Sequence, residues 1–286
     1  MLVLAEAFPR DIDRHLATRP SILVQPMGTI EWHSHHLPLG LDGIVAEQLG
    51  RAIAEAADAV LAPISWWAVG GVPFPHTLKL PLGLIEPVFE ELYVQFGEMG
   101  FAVVMAIAGH FGLEQTLGMK RAALAAMRRT QAFVRPLTEY DTVTDLYPGD
   151  HAGRGEASLL QAMRPELVRL DAVPPDQPLP GVLGPEPRGA ANAAYGQQIA
   201  TAIAGRASAL GHRLLASAHE RARYRDVLGL SVEVMEAVLR LRQSGDKATA
   251  PPIGTAAWLA HCAALTEGDY DRAEAALRTK LADLHR

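Results

Sequence analysis

Short apolar runs alternate, along the first half of the chain, with segments whose apolar residues recur every three or four positions. The runs cover residues 21–27, 59–64, 101–108 and 132–137, and each ends in Gly, Pro or polar residues, which predicts β-strands. Between them, 42–57 opens on a capping-type Asp ahead of Ile44, Leu49, Ile53 and Ala54. Residues 87–99 place a proline in a first helical turn, and 113–129 follow the third strand. Strands alternating with helices of this length imply right-handed βαβ crossovers, and so an α/β fold with a mostly parallel central sheet covered on both faces, to about residue 165. The proline-rich stretch 174–187 predicts a long ordered loop. From Gly189 onward the chain reads as alanine-rich helices broken at Leu228-Gly229, Ser244-Gly245-Asp246 and Pro251-Pro252.

Composition narrows the function classes. With 286 residues and 49% hydrophobic content the chain can bury a large core. A formal charge of -6 argues against a nucleic-acid surface, which needs clustered Lys and Arg to replace phosphate counterions. The single cysteine, Cys262, excludes an intrachain disulfide and a thiolate zinc cluster, which fits a reducing, cytoplasmic setting. The first ten residues lack the basic start and apolar core of a signal peptide, and no run approaches the roughly 20 apolar residues of a bilayer span. Small-molecule chemistry is the expectation.

That chemistry has a place to sit, because ligands of open α/β sheets bind outside the carboxyl ends of the strands. Glu31, His33, His35, His36 and Asp42 follow the first strand, and in extended backbone positions i and i+2 point the same way, so Glu31 and His33 can face one ion. His110 follows the third strand between glycines that allow close backbone approach to a ligand. His151 and Glu156 follow the fourth. Taken singly, Glu31 and Asp42 read as capping or solvated groups, and a lone His110 or His151 as a surface or core histidine. Carboxylate and imidazole delivered by three loops at one end of one sheet point instead to a metal site. His15, His212, His219, His261 and His285 read as solvated. His76 is a candidate for the substrate side or for bracing a ligand, and the Trp66-Trp67 pair reads as core or interface.

The stretch Gly28-Thr29-Ile30-Glu31-Trp32-His33-Ser34-His35-His36-Leu37-Pro38, with Asp42 after it, resembles in order and spacing the first motif of the creatininase family of amidohydrolases. His151-Ala152-Gly153 with Glu156-Ala157-Ser158 is similar to a later family motif. Ala108-Gly109-His110-Phe111-Gly112 keeps only part of a third, having lost its Asn. Phe74-Pro75-His76-Thr77 and Gly181-Val182-Leu183-Gly184 are weaker likenesses. The resemblance implies a creatininase-like three-layer domain over residues 1–222, followed by a helical extension, 223–286, packed on it or at a subunit interface.

It also implies two divalent ions, zinc, manganese or iron, bridged by Asp42, with Glu31 and His110 completing one site and His33 belonging to the other. Where creatininase has a further glutamate ligand this chain has Gly112. Glu156 is the candidate replacement and Glu114 a substitute, while His36 is a further ligand or braces one. His151 is implied as the acid/base, with Glu156 beside it, and Trp32 replaces a Gln within the ligand loop. A small-molecule amide substrate, C–N bond hydrolysis and a closed homo-oligomer, often a hexamer in the family, follow from the same likeness. The aromatic residues that flank the substrate in creatininase have no clear counterpart between Ala132 and Asp150, where Tyr140, Tyr147 and Phe133 are the only rings, which makes creatinine itself a poor expectation. The partial motif around His110 and the extra C-terminal helices leave open a second reading, a metal-binding or ligand-binding subunit without activity.

Overall fold

A computed structural model describes residues 1–67, 69–245 and 255–284, and a five-stranded, wholly parallel sheet in the order β1-β3-β2-β4-β5 runs through it. The strands are Leu2–Val3 (β1), Ile22–Met27 (β2), Val60–Leu61 (β3), Val103–Ala108 (β4) and Phe133–Thr138 (β5). Every residue of β2, β4 and β5 is buried, as expected of a parallel sheet covered on both faces. That double cover explains why these strands read as continuous apolar runs.

Pro26 sits in a central strand without cost to the ladder. Its carbonyl accepts from Ser65 N, so its missing N–H faces the edge where β3 has already ended at Leu61. Beyond its end, β3 is shorter than the expected 59–64, and β1 pairs outside it where no strand was expected.

The helices are Pro9–Thr18 (α1), Leu41–Ala56 (α2), Leu82–Glu98 (α3), Leu113–Arg129 (α4), Arg154–Met163 (α5), Ala193–Ala216 (α6), Ala218–Gln243 (α7), Ala256–Glu267 (α8) and Tyr270–Leu284 (α9). Helices α2, α5 and α6 pack together over β2 and β4, and α3 with α4 over β4 and β5. Small residues set the layer spacing: a Cβ at Gly50 of α2 would lie 2.7 Å from Pro26, and one at Gly211 of α6 would lie 2.7 Å from Met105. Helix α7 packs on α4, α9 on α7, and α8 on α9 and α6. No helix among the described residues is long and apolar enough to cross a membrane.

Several expectations are corrected. Helix α3 starts at Leu82, so Pro87 lies inside it and not in its first turn. Helix α7 runs unbroken through Leu228-Gly229, because burial of Leu228, Leu230, Val234, Met235 and Val238 outweighs the roughly 1 kcal/mol that a glycine costs a helix. The break falls instead at Ser217, whose hydroxyl accepts from Glu220 N at 3.2 Å and caps α7. A division at residue 222 falls within this continuous helix. His261 is buried, its Nδ1 donating to Trp258 O at 2.7 Å, and not solvated. His15 is half-buried, with Nε2 2.6 Å from Ser21 Oγ. Trp67 is 53% exposed. Asp246, Pro251-Pro252 and His285 lie outside the described residues.

Trp258 joins the C-terminal helices to the sheet layers: it is fully buried, and its Nε1 donates to Tyr140 Oη at 3.1 Å. Trp258→Ala should therefore cost about 3–5 kcal/mol in denaturant unfolding, and a loss under about 1 kcal/mol would mean that α8 docks without it.

Candidate metal centre

The order of the strands puts a switch point between β2 and β4, since the chain leaves β2 for β3 on one side and returns to β4 on the other. Both strands end there, at Met27 and Ala108, in register with each other. The backbone of the α2 N-terminus is laid directly onto these strand ends. A Cβ on Gly28 would be 2.1 Å from Gly43 Cα, and a Cβ on Gly109 would be 2.1 Å from Asp42 O. The glycine before His110 thus admits the Asp42 backbone, not a ligand as its setting in the sequence suggested. The Glu31 N–H donates to Leu39 O at 2.8 Å, which folds the loop back and brings Glu31 beside Asp42.

Asp42 is the shared member of two donor sets, Glu31–Asp42–His110 and His33–Asp42–Glu156, each with its ligand atoms within 4.8 Å of one another. Its Oδ1 lies 2.9 Å from His33 Nε2, and its Oδ2 3.4 Å from His110 Nδ1. Glu31 Oε2 is 2.8 Å from the same His110 nitrogen, and Glu156 Oε2 is 3.6 Å from His33 Nε2. Glu31, His33 and His151 form a third grouping beside these.

Each imidazole is oriented by a backbone carbonyl. His33 Nδ1 bonds Glu31 O at 3.0 Å, His110 Nε2 bonds Val69 O at 3.2 Å, and His151 Nε2 bonds Trp32 O at 2.9 Å. A neutral ring can donate only through the pinned nitrogen, so the other nitrogen keeps its lone pair for a cation or a proton. Glu31 is held in the same way, Oε1 accepting from Val72 N at 2.7 Å while Oε2 turns inward. Glu31 Oε2, His33 Nε2 and both Asp42 oxygens are buried without an ordinary hydrogen-bond partner, the pattern left by groups arranged around a cation.

The electrostatics agree. Burial works against the charge on His33, but Asp42 and Glu31 outweigh it and raise its pKa; for His110, Glu31 and Asp42 outweigh burial by more. Those two rings hold the Asp42 carboxyl far below its usual range against its own burial, and His110 lowers Glu31. Glu156 is pushed well above its ordinary value by burial and by Glu139, Asp42 and Asp150. Burial and the neighbouring His33 lower His151, whose ring lies 4.5 Å from that of His33. The surplus is of negative charge.

The other sequence candidates lie around this centre. His36 is buried and lowered to about 4 by burial; its Nε2 bonds Ala152 O at 3.0 Å and braces the His151 loop, while Nδ1 is unpartnered. It joins neither donor set. Trp32 stacks on Phe74 at 5.6 Å and donates to Pro180 O at 3.3 Å. His76 and His35 are exposed. Glu114 lines the cavity but belongs to neither set.

Three buried residues escaped the sequence reading. Asp150 accepts from Gly155 N at 2.6 Å and Glu156 N at 3.1 Å, fixing the turn that carries His151 and Glu156. Tyr147 donates to Glu139 Oε1 at 2.6 Å. Glu139 directly follows β5, the strand-end position that pointed to the other acids. A cavity of about 870 Å³ opens over the centre, lined by Glu31, Asp42, His110, His151 and Glu156 among others.

A parallel α/β sheet bearing two carboxylate–imidazole donor sets at its switch point defines a class of open-sheet proteins built to hold cations outside their strand ends. Within that class the chain belongs to the creatininase family, whose model, described as creatinine amidohydrolase, matches residues 8–224. A creatinine amidohydrolase of Pseudomonas putida is 23% identical over 192 residues, 57% of this chain and 72% of the relative. The mycofactocin precursor peptide peptidase of Mycolicibacterium smegmatis is 28% identical over 178 residues, 58% of this chain and 68% of the relative. A crystal structure of creatininase superposes with a TM-score of 0.64 at 21% identity, covering 74% of this chain and 98% of that one.

Two outcomes follow for the centre. Gly109→Ala should displace the Asp42 backbone and weaken metal retention at least about tenfold, read by competition with a chelator, and unchanged retention would contradict the close packing described. In metal-free protein, the protonated His33 and His110 contribute stability that is full below their unfolded pKa of about 6.5 and is lost as pH rises through the raised folded values. A cation taken up by these nitrogens would have to displace those protons. Calorimetric titration in buffers of different ionisation enthalpy should then show proton release, with affinity increasing with pH.

Proposed function

We propose that the protein is a metal-dependent amidohydrolase that cleaves a C–N bond of an amide-bearing small molecule, with two divalent ions held by Glu31, His110, His33 and Glu156 around a shared Asp42. The observation that carries this reading is Asp42 itself, buried, with one carboxylate oxygen toward each donor set. Nitrogen and oxygen donors without thiolate suit zinc, manganese or iron. Solved creatininase structures, 22% identical to this chain, include a manganese form and a mutant of Zn-Zn type.

Divalent ions held by these residues would supply Lewis acidity toward an amide carbonyl and make hydroxide available near neutral pH. The chain's own residues carry the rest. His151, kept neutral by burial, donates through Nε2–H to Trp32 O and is left with Nδ1 to take a proton from the attacking water. The resulting imidazolium returns that proton to the departing nitrogen, without which the tetrahedral adduct reverts. Asp150 holds the turn on which His151 and Glu156 sit, and His36 braces the same turn through Ala152 O. A cavity of about 870 Å³ favours a substrate larger than creatinine, since pockets of roughly 300–1,000 Å³ take drug-sized ligands.

Purified protein should carry about two divalent ions per chain by elemental analysis, and a metal-free preparation whose stability ignores chelators would refute the reading. His151→Ala should keep both ions yet lose about 10²-fold or more in kcat on any amide the wild type cleaves. Full turnover in that variant would remove His151 from proton transfer.

A further inference from the structure

Helix α7 beyond residue 224, together with α8 and α9, lies outside the family match, and 74% of this chain already covers the creatininase structure almost end to end. These extra helices nevertheless reach the metal centre. Leu239, Arg242 and Gln243, at the C-terminal end of α7, and Leu259 of α8 line the same cavity as His110 and His151.

The wall they make is anchored. Trp258, next to Leu259, donates to Tyr140 Oη at 3.1 Å, and Tyr140 itself lines the cavity and meets Phe111 edge-on at 5.2 Å. Cys262 Sγ donates to the buried Asp141 Oδ1 at 3.6 Å, Thr266 Oγ1 donates to Asp141 O at 3.4 Å, and the Lys120 ammonium lies 5.6 Å from the Trp258 ring. Extension and α/β body therefore meet on the cavity wall itself, and what fills the cavity must fit both.

Leu239 and Leu259, with Phe111 and Tyr140, give that wall an apolar flank. Arg242 adds an exposed guanidinium that has no carboxylate partner among the described residues. The remaining lining carboxylates are Glu31, Asp42 and Glu156 of the donor sets, Asp150, which is engaged by Gly155 N, and Glu114 beside Gly70, so Arg242 is the one arginine or lysine among the lining residues described. A guanidinium at the edge of the cavity, without a carboxylate partner among the described residues, is suited to a planar anion, which it can grip through two parallel N–H bonds.

We propose that the C-terminal extension selects the substrate: an amide bearing an apolar aliphatic or aromatic group, which packs on Leu239 and Leu259, and a carboxylate, which pairs with Arg242. This rests on the amidohydrolase reading above and names the class of molecule that the site takes.

The test uses metal-loaded, full-chain protein and two probes of matched shape, N-acetyl-leucine and N-acetyl-leucinamide, which differ in the carboxylate. Calorimetric binding should favour N-acetyl-leucine about tenfold or more, the preference expected of a hydrogen-bonded charge. Arg242→Ala should bring the two probes to parity, Arg242→Lys should keep part of the preference, and Leu259→Trp, which fills the apolar flank, should weaken both. Equal affinity, no binding of either probe, or a preference that survives Arg242→Ala overturns the inference. Metal content and amide turnover of the same preparation separate the two claims. Protein that holds metal and hydrolyses amides but treats the probes alike refutes the specificity alone, whereas protein without metal refutes the amidohydrolase reading.

Discussion

The structure depends on the burial of like charges in one place. Glu31, Asp42, Glu139, Asp150 and Glu156 are all buried behind the ends of β2, β4 and β5, where isolated ionised carboxylates would be prohibitively costly. Two imidazoles, His33 and His110, supply the positive charge when protonated, and each is already oriented to give its lone pair to a cation instead. Backbone N–H groups cover much of what remains: Val72 on Glu31, Ala152 on Glu156, Gly155 and Glu156 on Asp150. A cluster of this composition is unfavourable as a packing device and well suited to a pair of divalent cations.

From that constraint the surrounding fold follows. The approach of α2 to the strand ends is possible only because Gly28, Gly43 and Gly109 carry no side chain; a Cβ on Gly43 would lie 2.2 Å from the Trp66 ring. The bent loop from His33 to Gly40 exists to bring Glu31 back to Asp42, and its floor is the His36 contact with Ala152. Ala152 adopts φ of 52°, a conformation disfavoured for a residue with a Cβ, and it is held there by its N–H donating to Glu156 Oε2 and its carbonyl accepting from His36. Buried charge is thus concentrated at the strand ends, while β2, β4 and β5 provide an apolar foundation beneath it.

Much of this was legible from the chain. The parallel sheet could be read from apolar runs, and Glu31, His33, Asp42, His110, His151 and Glu156 from their positions after strand ends; the structure brings these six together, five of them lining one cavity and His33 buried among them. What stayed hidden carried little signal beyond the strand-end position of Glu139. Glu139, Tyr147 and Asp150 are single residues outside any recognisable motif, and their importance comes from hydrogen bonds within the irregular segment between β5 and α5. Pro87 reads as a helix start yet lies in the interior of α3, and Gly229 reads as a break yet lies in α7, because tertiary burial overrides local propensity. The cavity wall from Leu239, Arg242 and Leu259 was invisible for the same reason, since it is made by helices more than eighty residues beyond the last ligand loop.

The central claim is that one buried carboxylate, Asp42, is shared between two cations. Electron paramagnetic resonance of the manganese-loaded protein tests it most directly, because ions about 3.5 to 4 Å apart, bridged by a common carboxylate, couple magnetically. The account predicts the multiline spectrum of a coupled manganese pair, converted by Asp42→Ala to that of isolated ions or to no bound manganese. A fully loaded wild type giving only the spectrum of isolated, uncoupled manganese would contradict it.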